Sequence, residues 1–266
     1  MSQLKPGEIL EQTINVGVTK SEGSFKKLSF LGIMAGMFIA FAGASSGICS
    51  YYFMLDPATV GIGRMLSGLI FPAGLIMVIL AGAELFTGNT LMLAGVLDKK
   101  ITPMAMLRNW VIVYIANFIG SLLIAWLFAN SGLTETGAGV MKTVIINTAV
   151  TKVSLSFGQA FIRGVLCNFL VCIAVWIGTG TTATVGKIFG AFFPIWTFVA
   201  AGYEHSIANM FFIPVGLFVD GGATAGLTWK AMMVNNLLPV TLGNIVGGAV
   251  MVATVYYFAL KEKNNG

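Results

Sequence analysis

Charged residues are scarce in this sequence. Asp, Glu, Lys and Arg make up 9% of the 266 residues, whereas hydrophobic residues make up 57%. Soluble domains carry about 25% charged residues, and so small a share could not cover the surface of a soluble chain of this length. A surface that faces lipid needs no such cover, because hydrocarbon replaces water as its solvent. The composition therefore predicts an integral membrane protein, with the lipid bilayer as its surroundings.

Cysteine and histidine are also rare, with three cysteines and one histidine. Cys49, Cys167 and Cys172 all lie in apolar stretches, and an odd number of buried cysteines argues against a disulfide framework or a metal site. The sequence has no Ser/His/Asp set and no nucleotide-binding glycine loop. We therefore expect no enzyme and no cofactor. The basic residues form no stripe with interleaved aromatics, so nucleic acid is not expected as a partner.

Long uncharged runs predict the membrane crossings, since a helix needs about 20 apolar residues to span the hydrocarbon core. Four runs are straightforward, at 28–55, 109–134, 164–186 and 231–260. Two others, 65–97 and 188–219, are too long for one helix and too short for two helices and a turn. Glu84 interrupts the first, and Glu204 and His205 interrupt the second. The pattern predicts an all-α fold of six transmembrane helices, with the second and fifth broken near the middle.

The two interruptions resemble each other. Ala-Gly-Ala-Glu ends at Glu84 and is followed five residues later by Asn89; Ala-Gly-Tyr-Glu ends at Glu204 and is followed by Asn209. An Asn-x-x-Gly motif, at 117–120 and 244–247, follows each break. This is an internal duplication at a separation of about 120 residues. Each copy has three crossings, and an odd number reverses its orientation, so the sequence predicts an inverted 3+3 repeat with its site near the bilayer midplane.

The break residues suggest separate roles. We expect the carboxylates of Glu84 and Glu204, with Asn89 and Asn209, to stabilise the breaks by accepting hydrogen bonds from backbone N–H groups that the unwinding frees. His205 is ionisable at membrane depth, where such groups face a bundle interior or a water-filled cavity, and we expect it to line a conduction path. Lys152 precedes the fourth crossing and would raise the local concentration of anions at a pore mouth.

Basic residues in short loops indicate the orientation. With both termini in the cytoplasm, ten basic residues lie inside and four outside, with Arg163 near or within the fourth crossing. The inner set is Lys5, Lys20, Lys26, Lys27, Lys99, Lys100, Arg108, Lys187, Lys261 and Lys263, and the outer set is Arg64, Lys142, Lys152 and Lys230. Residues 1–266 are expected to form one transmembrane domain. Its parts are a cytoplasmic segment with a short amphipathic helix (1–27), the first repeat (28–134), an outer loop (135–156), the second repeat (157–260) and a cytoplasmic tail (261–266).

The run Glu-His-Ser-Ile-Ala-Asn-Met at 204–210, with Ala-Glu-Leu-Phe-Thr at 83–87, resembles the formate/nitrite transporter family. Within it, the chain is most similar to the clostridial-type hydrosulfide channels. The resemblance implies an aquaporin-like fold without paired Asn-Pro-Ala motifs, and a homopentamer with one pore per protomer in the inner membrane of a bacterium. It also implies that small monovalent anions and protons are the partners.

The resemblance implies a role for each residue that matches the family pattern. His205 matches the central pore histidine, Thr87 its hydrogen-bonding threonine, Lys152 the lysine that attracts anions and Asn168 a polar pore residue. Leu75, Val171 and Phe198 match the outer hydrophobic constriction, and Leu85 and Phe86 fall where the inner one is built. Formate channels carry extra histidines near the lysine, where this chain has Val153 and Ser154, so hydrosulfide is favoured over formate and nitrite.

The sequence leaves open how the substrate crosses and which class of function the protein has. Either His205 and Thr87 hydrogen bond to a desolvated anion, or His205 lends a proton so that the neutral acid crosses. Two other classes of function also fit in part. A pore for water or ammonia would not need Lys152, and a structural or sensory subunit would not need two matched polar breaks.

Overall fold

The computed structural model describes residues 3–261, and these residues form helices joined by short loops, without a strand. We number the helices in chain order. They are α1 (Pro6–Ser21), α2 (Phe25–Ser50), α3 (Val60–Ala81), α4 (Phe86–Leu97), α5 (Pro103–Ala129), α6 (Val140–Val153), α7 (Phe157–Thr179), α8 (Thr184–Ala201), α9 (Ser206–Asp220) and α10 (Trp229–Leu260). Lys263 and the rest of the tail after Lys261 lie outside the described residues.

Short polar residues start several of the long helices. The side chain of Ser24 accepts a hydrogen bond from the backbone N–H of Lys27 at the start of α2, and Thr102 caps α5 in the same way. Ser156 and Gln159 form a capping box at the start of α7. Such caps satisfy N–H groups that have no partner inside the helix.

Six helices are long and apolar enough to cross a membrane, as predicted: α2, α3, α5, α7, α8 and α10. The second and fifth crossings are broken, and each is completed by a shorter apolar helix, α4 or α9. The breaks span 82–85 and 202–205. Asn89 and Asn209 were expected in the breaks, but they lie in the helices that follow. Gly82 and Gly202 end α3 and α8 with φ of 79° and 76°, a left-handed conformation that glycine adopts without steric cost.

A helix also lies in the segment expected to be an outer loop. α6 covers 14 residues of it and carries Lys152 in its last turn. α1, the predicted amphipathic helix, carries Lys20 in its last turn and buries Ile9, Leu10 and Ile14 beside the end of α10. Each repeat therefore has, before its first crossing, a short helix with a lysine in its last turn.

The hydrogen bonds relate the two repeats. Asn117 on α5 donates to the carbonyl of Gly32 at 2.7 Å, and Asn244 on α10 donates to that of Gly164 at 2.8 Å. The hydroxyls of Tyr114 and Thr241 lie 2.8 Å apart. These two positions are equivalent in the repeats, since each precedes its asparagine by three residues. A contact between equivalent residues places the pseudo-twofold axis between α5 and α10.

Candidate functional site

Two vestibules enter the protein from opposite ends. The terminal vestibule, beside α1, has a volume of about 590 Å³ and is lined by the first break with Lys20, Lys27 and Lys187. The distal vestibule has a volume of about 360 Å³ and is lined by the second break with Arg64, Lys152 and Arg163. They share no lining residue. The breaks therefore face opposite ends, as the inverted repeat requires.

Thr87, in the first turn of α4, contacts His205, the last residue of the second break. Thr87 Oγ1 lies 3.0 Å from His205 Nε2, and the backbone N–H of Ala208 donates to His205 Nδ1 at 3.1 Å. Because Nδ1 accepts, the neutral ring carries its proton on Nε2 and donates it to the Thr87 hydroxyl. The Thr87 hydroxyl keeps its own proton for a further acceptor. The His205 ring also stacks on Phe198, with ring planes 13° apart.

Asn117 and Asn244 hold the unwound backbone. Asn117 Oδ1 accepts from the N–H of Phe86 at 3.0 Å, while its Nδ2 donates to the carbonyl of Glu84 at 2.8 Å. Asn244 makes the same two bonds to Ser206 and Glu204, at 2.9 and 3.0 Å. Buried backbone groups need partners where no water reaches them. The Asn-x-x-Gly motif of each repeat therefore supplies the contacts that had been expected from the glutamates.

The expected role of Glu84 and Glu204 is thus wrong, because within residues 3–261 their carboxylates accept from side chains and not from backbone N–H groups. Lys152 Nζ lies 2.9 and 3.1 Å from the two oxygens of Glu204. Asn209 Nδ2 donates to Glu204 at 2.6 Å and to Asn236 Oδ1 at 2.7 Å. Asn236 in turn donates to the carbonyl of Lys152 at 2.9 Å. The result is a closed network with no net charge.

The first repeat contains the same network, built from Lys20, Glu84, Asn89 and Asn109. The corresponding distances are 2.8, 2.7, 2.8 and 3.1 Å. Sequence reasoning had counted Lys20 only as a loop lysine. Its place in the last turn of a helix before the first crossing, matched by Lys152 before the fourth, is the signal that could have identified it.

Each vestibule keeps two cations beyond its lysine–glutamate pair. Among residues 3–261, Arg64 and Arg163 form no salt bridge in the distal vestibule, nor do Lys27 and Lys187 in the terminal one. Both mouths therefore carry a local excess of positive charge, which raises the local concentration of anions.

Apolar side chains lie between the vestibules, but their grouping differs from the expectation. Phe198 lines the distal vestibule with Phe71, whose ring lies 5.9 Å away edge to face. Leu75, expected beside Phe198, instead lines the terminal vestibule with Leu85. It follows Phe71 by one helical turn, so the two face opposite vestibules. Assignment by resemblance alone had not recognised Phe71.

Val171 and Phe86 line neither vestibule. Val171 is buried in the core. The ring of Phe86 packs edge to face on Tyr114, with ring centroids 4.9 Å apart, and on Trp110. These contacts attach the start of α4 to α5.

The comparisons with known proteins agree with this architecture. A family model described as Formate/nitrite transporter matches residues 7–258. The chain belongs to the formate/nitrite transporter family. It is 40% identical to a "Probable formate transporter" of Methanothermobacter thermautotrophicus, with 97% of each chain covered, and 36% identical to "Formate channel FocA" of Haemophilus influenzae, covering 97% of this chain and 95% of that one.

A solved structure shares the fold. The "Pentameric formate channel with formate bound" matches with a TM-score of 0.79 and 32% identity, over 88% of this chain and 97% of that one. The relatives in this family are channels and transporters, so the chain is a multi-pass membrane transport protein and not an enzyme, as predicted.

Asn168 is the last of the predicted pore residues. It is fully buried on α7 and lines neither vestibule. Its Nδ2 lies 2.7 Å from the carbonyl of Asn244, and the carbonyl of Thr87 and Thr90 Oγ1 are also within hydrogen-bond distance, at 3.2 and 3.1 Å. Asn168 therefore lies behind Thr87 and connects the two repeats.

Proposed function

We propose that the protein is a channel for small monovalent anions, with a path through each protomer that runs between the vestibules past Thr87 and His205. The observation that carries this proposal is the Thr87–His205 contact at 3.0 Å, at the point where α4 and α9 begin. The N-terminus of a helix carries a partial positive charge. An anion that loses water between Phe71, Phe198, Leu75 and Leu85 would meet these two helix ends and the hydroxyl of Thr87.

The electrostatics favour anions over neutral solutes. The two spare cations in each vestibule attract anions, and such charges give no advantage to water or ammonia. The apolar side chains between the vestibules impose a desolvation cost, because an unpaired charge in such surroundings is very unfavourable. A small ion with few water molecules to lose, and a hydrogen-bond donor at the centre, keeps this cost low.

The substrate could cross as the anion, with hydrogen bonds from His205 and Thr87, or as the neutral acid, with a proton from His205. The proton on His205 Nε2 favours the first of these. A neutral His205 can help as a hydrogen-bond donor, through Nε2 and the Thr87 hydroxyl. It could lend a proton only after it gained one on Nδ1, and this would set an N–H group against the N–H of Ala208, which now donates to Nδ1 at 3.1 Å. Passage of the anion with hydrogen bonding is therefore the mode that we propose.

Formate is the first substrate to test, because the named relatives are formate channels and transporters. Hydrosulfide, the substrate expected from the sequence, and nitrite belong to the same class of small bases and stay predictions. The test is flux of formate, hydrosulfide, nitrite, water and ammonia into proteoliposomes. Anion flux above that of protein-free liposomes supports the proposal, whereas flux of water or ammonia alone contradicts it.

We also propose a homopentamer in a bacterial inner membrane, with both termini in the cytoplasm. One solved relative is described as pentameric. Basic residues are more numerous in the segments expected on the same side of the membrane as the termini than in those on the other side. Cross-linking should reach a pentamer, and a product that stops at a trimer would contradict this assembly. A protease added outside intact cells should not reach a tag at Gly266.

A further inference from the structure

The carbonyl of Thr87 lies behind its contact with His205 and accepts several hydrogen bonds. Thr90 Oγ1 donates to it at 2.7 Å, Asn168 Nδ2 at 3.2 Å and Cys172 Sγ at 3.5 Å. All four residues are fully buried. The position of Thr87 is therefore determined from behind by side chains that do not line either vestibule.

Asn168 also binds Asn244, the residue that holds the backbone on both sides of His205. Its Nδ2 donates to the carbonyl of Asn244 at 2.7 Å. Asn244 binds the residues on both sides of His205, through the N–H of Ser206 and the carbonyl of Glu204. One amide group thus connects the backbone that carries Thr87, in the first repeat, to the backbone that carries His205, in the second.

A glycine makes room for this amide. A Cβ atom at Gly248 would lie 2.5 Å from Asn168 Nδ2 and 2.6 Å from Cys172 Sγ, and it would also contact Thr90 Oγ1. Any other residue at this position would displace the amide from the carbonyls that it binds. The side chain at 168 and the glycine at 248 therefore form a complementary pair.

The first repeat uses a different pair at the equivalent positions. Asn117 binds the carbonyl of Gly32 as Asn244 binds that of Gly164, so four residues further on Gly36 corresponds to Asn168 and Ser121 to Gly248. Ser121 Oγ donates to the carbonyl of Gly36 at 3.1 Å. This pair packs the two helices without sending a side chain to the centre, so only the second repeat has the connection.

We propose that Asn168 is a positioning residue, which sets the distance between Thr87 and His205 and does not itself bind the anion. This inference rests on the function proposed above and adds a specific role within that site. It differs from the role of pore residue that the resemblance implies, because it acts through the carbonyl of Thr87.

The test compares anion flux in four proteins: wild type, Asn168→Leu, Thr87→Val and the double variant. Leucine has the same number and branching of side-chain heavy atoms as asparagine but no donor. Loss of one or two hydrogen bonds should lower formate flux by about five- to tenfold in Asn168→Leu. In the Thr87→Val background the same substitution should change flux by less than about twofold, since additivity fails for residues that act through each other.

A second readout follows the imidazole directly and does not depend on transport. His205 is the only histidine, so untagged protein labelled with ¹⁵N-histidine gives one pair of ring signals. In Asn168→Leu the Nε2 signal should shift, because Thr87 is its partner, while the Nδ1 signal should stay, because Ala208 is unchanged. Asn168→Ala removes the amide without adding an atom beside Thr90 Oγ1 or Cys172 Sγ and should do the same, and it replaces Asn168→Leu if the latter does not assemble.

The outcomes separate the two proposals. Wild-type protein that passes none of the anions contradicts the proposed function, whatever the imidazole signals are. Wild-type flux with independent, multiplying losses from Asn168→Leu and Thr87→Val would overturn the positioning role, since it would mean that Asn168 contacts the anion itself. Unchanged flux and an unchanged Nε2 signal in Asn168→Leu would overturn it as well.

Discussion

Lys20 and Glu84 form an ion pair at 2.8 Å that repeats, at the other end of the protein, the pair between Lys152 and Glu204. The two pairs differ in burial. The side chains of Lys152 and Glu204 are 15% and 5% exposed, whereas those of Lys20 and Glu84 are 23% and 11% exposed. The distal pair is therefore less screened by water, and loss of one partner leaves a charge that is more deeply buried.

This difference predicts unequal losses of stability. Lys152→Met should destabilise the protein by about 3–5 kcal/mol, the cost of leaving a buried charge without its partner, and Lys20→Met should destabilise it by less. The double variant Lys152→Met/Glu204→Gln should recover part of the loss, because the amide can still accept from Asn209. Thermal unfolding in detergent measures all three. Equal losses for the two lysines, or no recovery in the double variant, would contradict the assignment.

An ion pair at the end of α4 predicts a dependence on acid pH. Asp98 Oδ1 lies 2.7 Å from Lys261 Nζ and Oδ2 lies 3.3 Å from Lys100 Nζ. Desolvation acts to raise the pKa of Asp98, but the hydrogen bonds from the two lysines outweigh it and keep the pKa below its ordinary value of 3.8. A lowered folded-state pKa stabilises the protein above the ordinary value, and this contribution is lost as the pH falls through the lower folded-state value.

The variant Asp98→Asn should therefore be less stable than the wild type at neutral pH and unfold at a lower temperature. The loss in the free energy of unfolding should be at most about 1 kcal/mol, because both lysines are partly exposed. The difference should be constant at neutral pH and shrink as the pH falls below 3.8. Glu22→Gln is the control, since Glu22 forms no salt bridge within the described part of the chain. A difference that grows towards acid pH would have the wrong sign.

The number of crossings and the inverted repeat could be predicted because they depend on local features. Hydrophobic runs set the crossings, and the two Glu-to-Asn spacings identified the duplication. The roles of Glu84 and Glu204 could not be predicted in this way. Asn117, which holds the backbone at Glu84, lies 33 residues away in sequence, and only the packing of α5 against the break brings the two together.

α6 was missed for a related reason. Its sequence mixes apolar residues with threonine, asparagine and lysine, and neither a transmembrane run nor a clear amphipathic pattern identifies it. Tertiary contacts bury one side of it, including Met141, Ile145 and Ala149. The pairing of Lys152 with Glu204 depends on this helix, so the sequence alone does not indicate the neutral network around Glu204.

The spare cations predict a dependence of flux on salt. Arg163 lines the distal vestibule, and its equivalent in the first repeat is Leu31, since the N–H of Glu84 binds the carbonyl of Leu31 as that of Glu204 binds Arg163. Arg163→Leu should lower anion flux severalfold at low ionic strength. The loss should shrink at high salt, because the screening length falls from about 30 Å at 0.01 M to about 3 Å at 1 M.

Lys142→Gln is the matched control for that experiment. It removes one positive charge from α6, but Lys142 is paired with Glu135 and lines neither vestibule. Its flux should follow that of the wild type at both salt concentrations. An equal loss in both variants would mean that overall charge, and not the charge in the vestibule, attracts the anion.

The central prediction concerns His205. His205→Phe keeps a ring that can stack on Phe198 but removes the donor on Nε2 and the acceptor on Nδ1. A hydrogen bond to a charged group is worth about 1.5–3 kcal/mol, so anion flux should fall roughly ten- to a hundredfold if the barrier lies at this point. Because Nδ1 accepts from Ala208 and the ring acts as a neutral donor, the ratio of His205→Phe flux to wild-type flux should stay constant between about pH 5 and 8, the range in which a free histidine titrates. Formate and hydrosulfide flux into proteoliposomes, measured across that range beside Thr87→Val, tests both parts. Thr87→Val removes the hydroxyl that accepts from Nε2 and should also lower flux at every pH. A ratio that changes with pH would mean that His205 lends a proton, and His205→Phe rates that match the wild type would mean that His205 only fills space in the core.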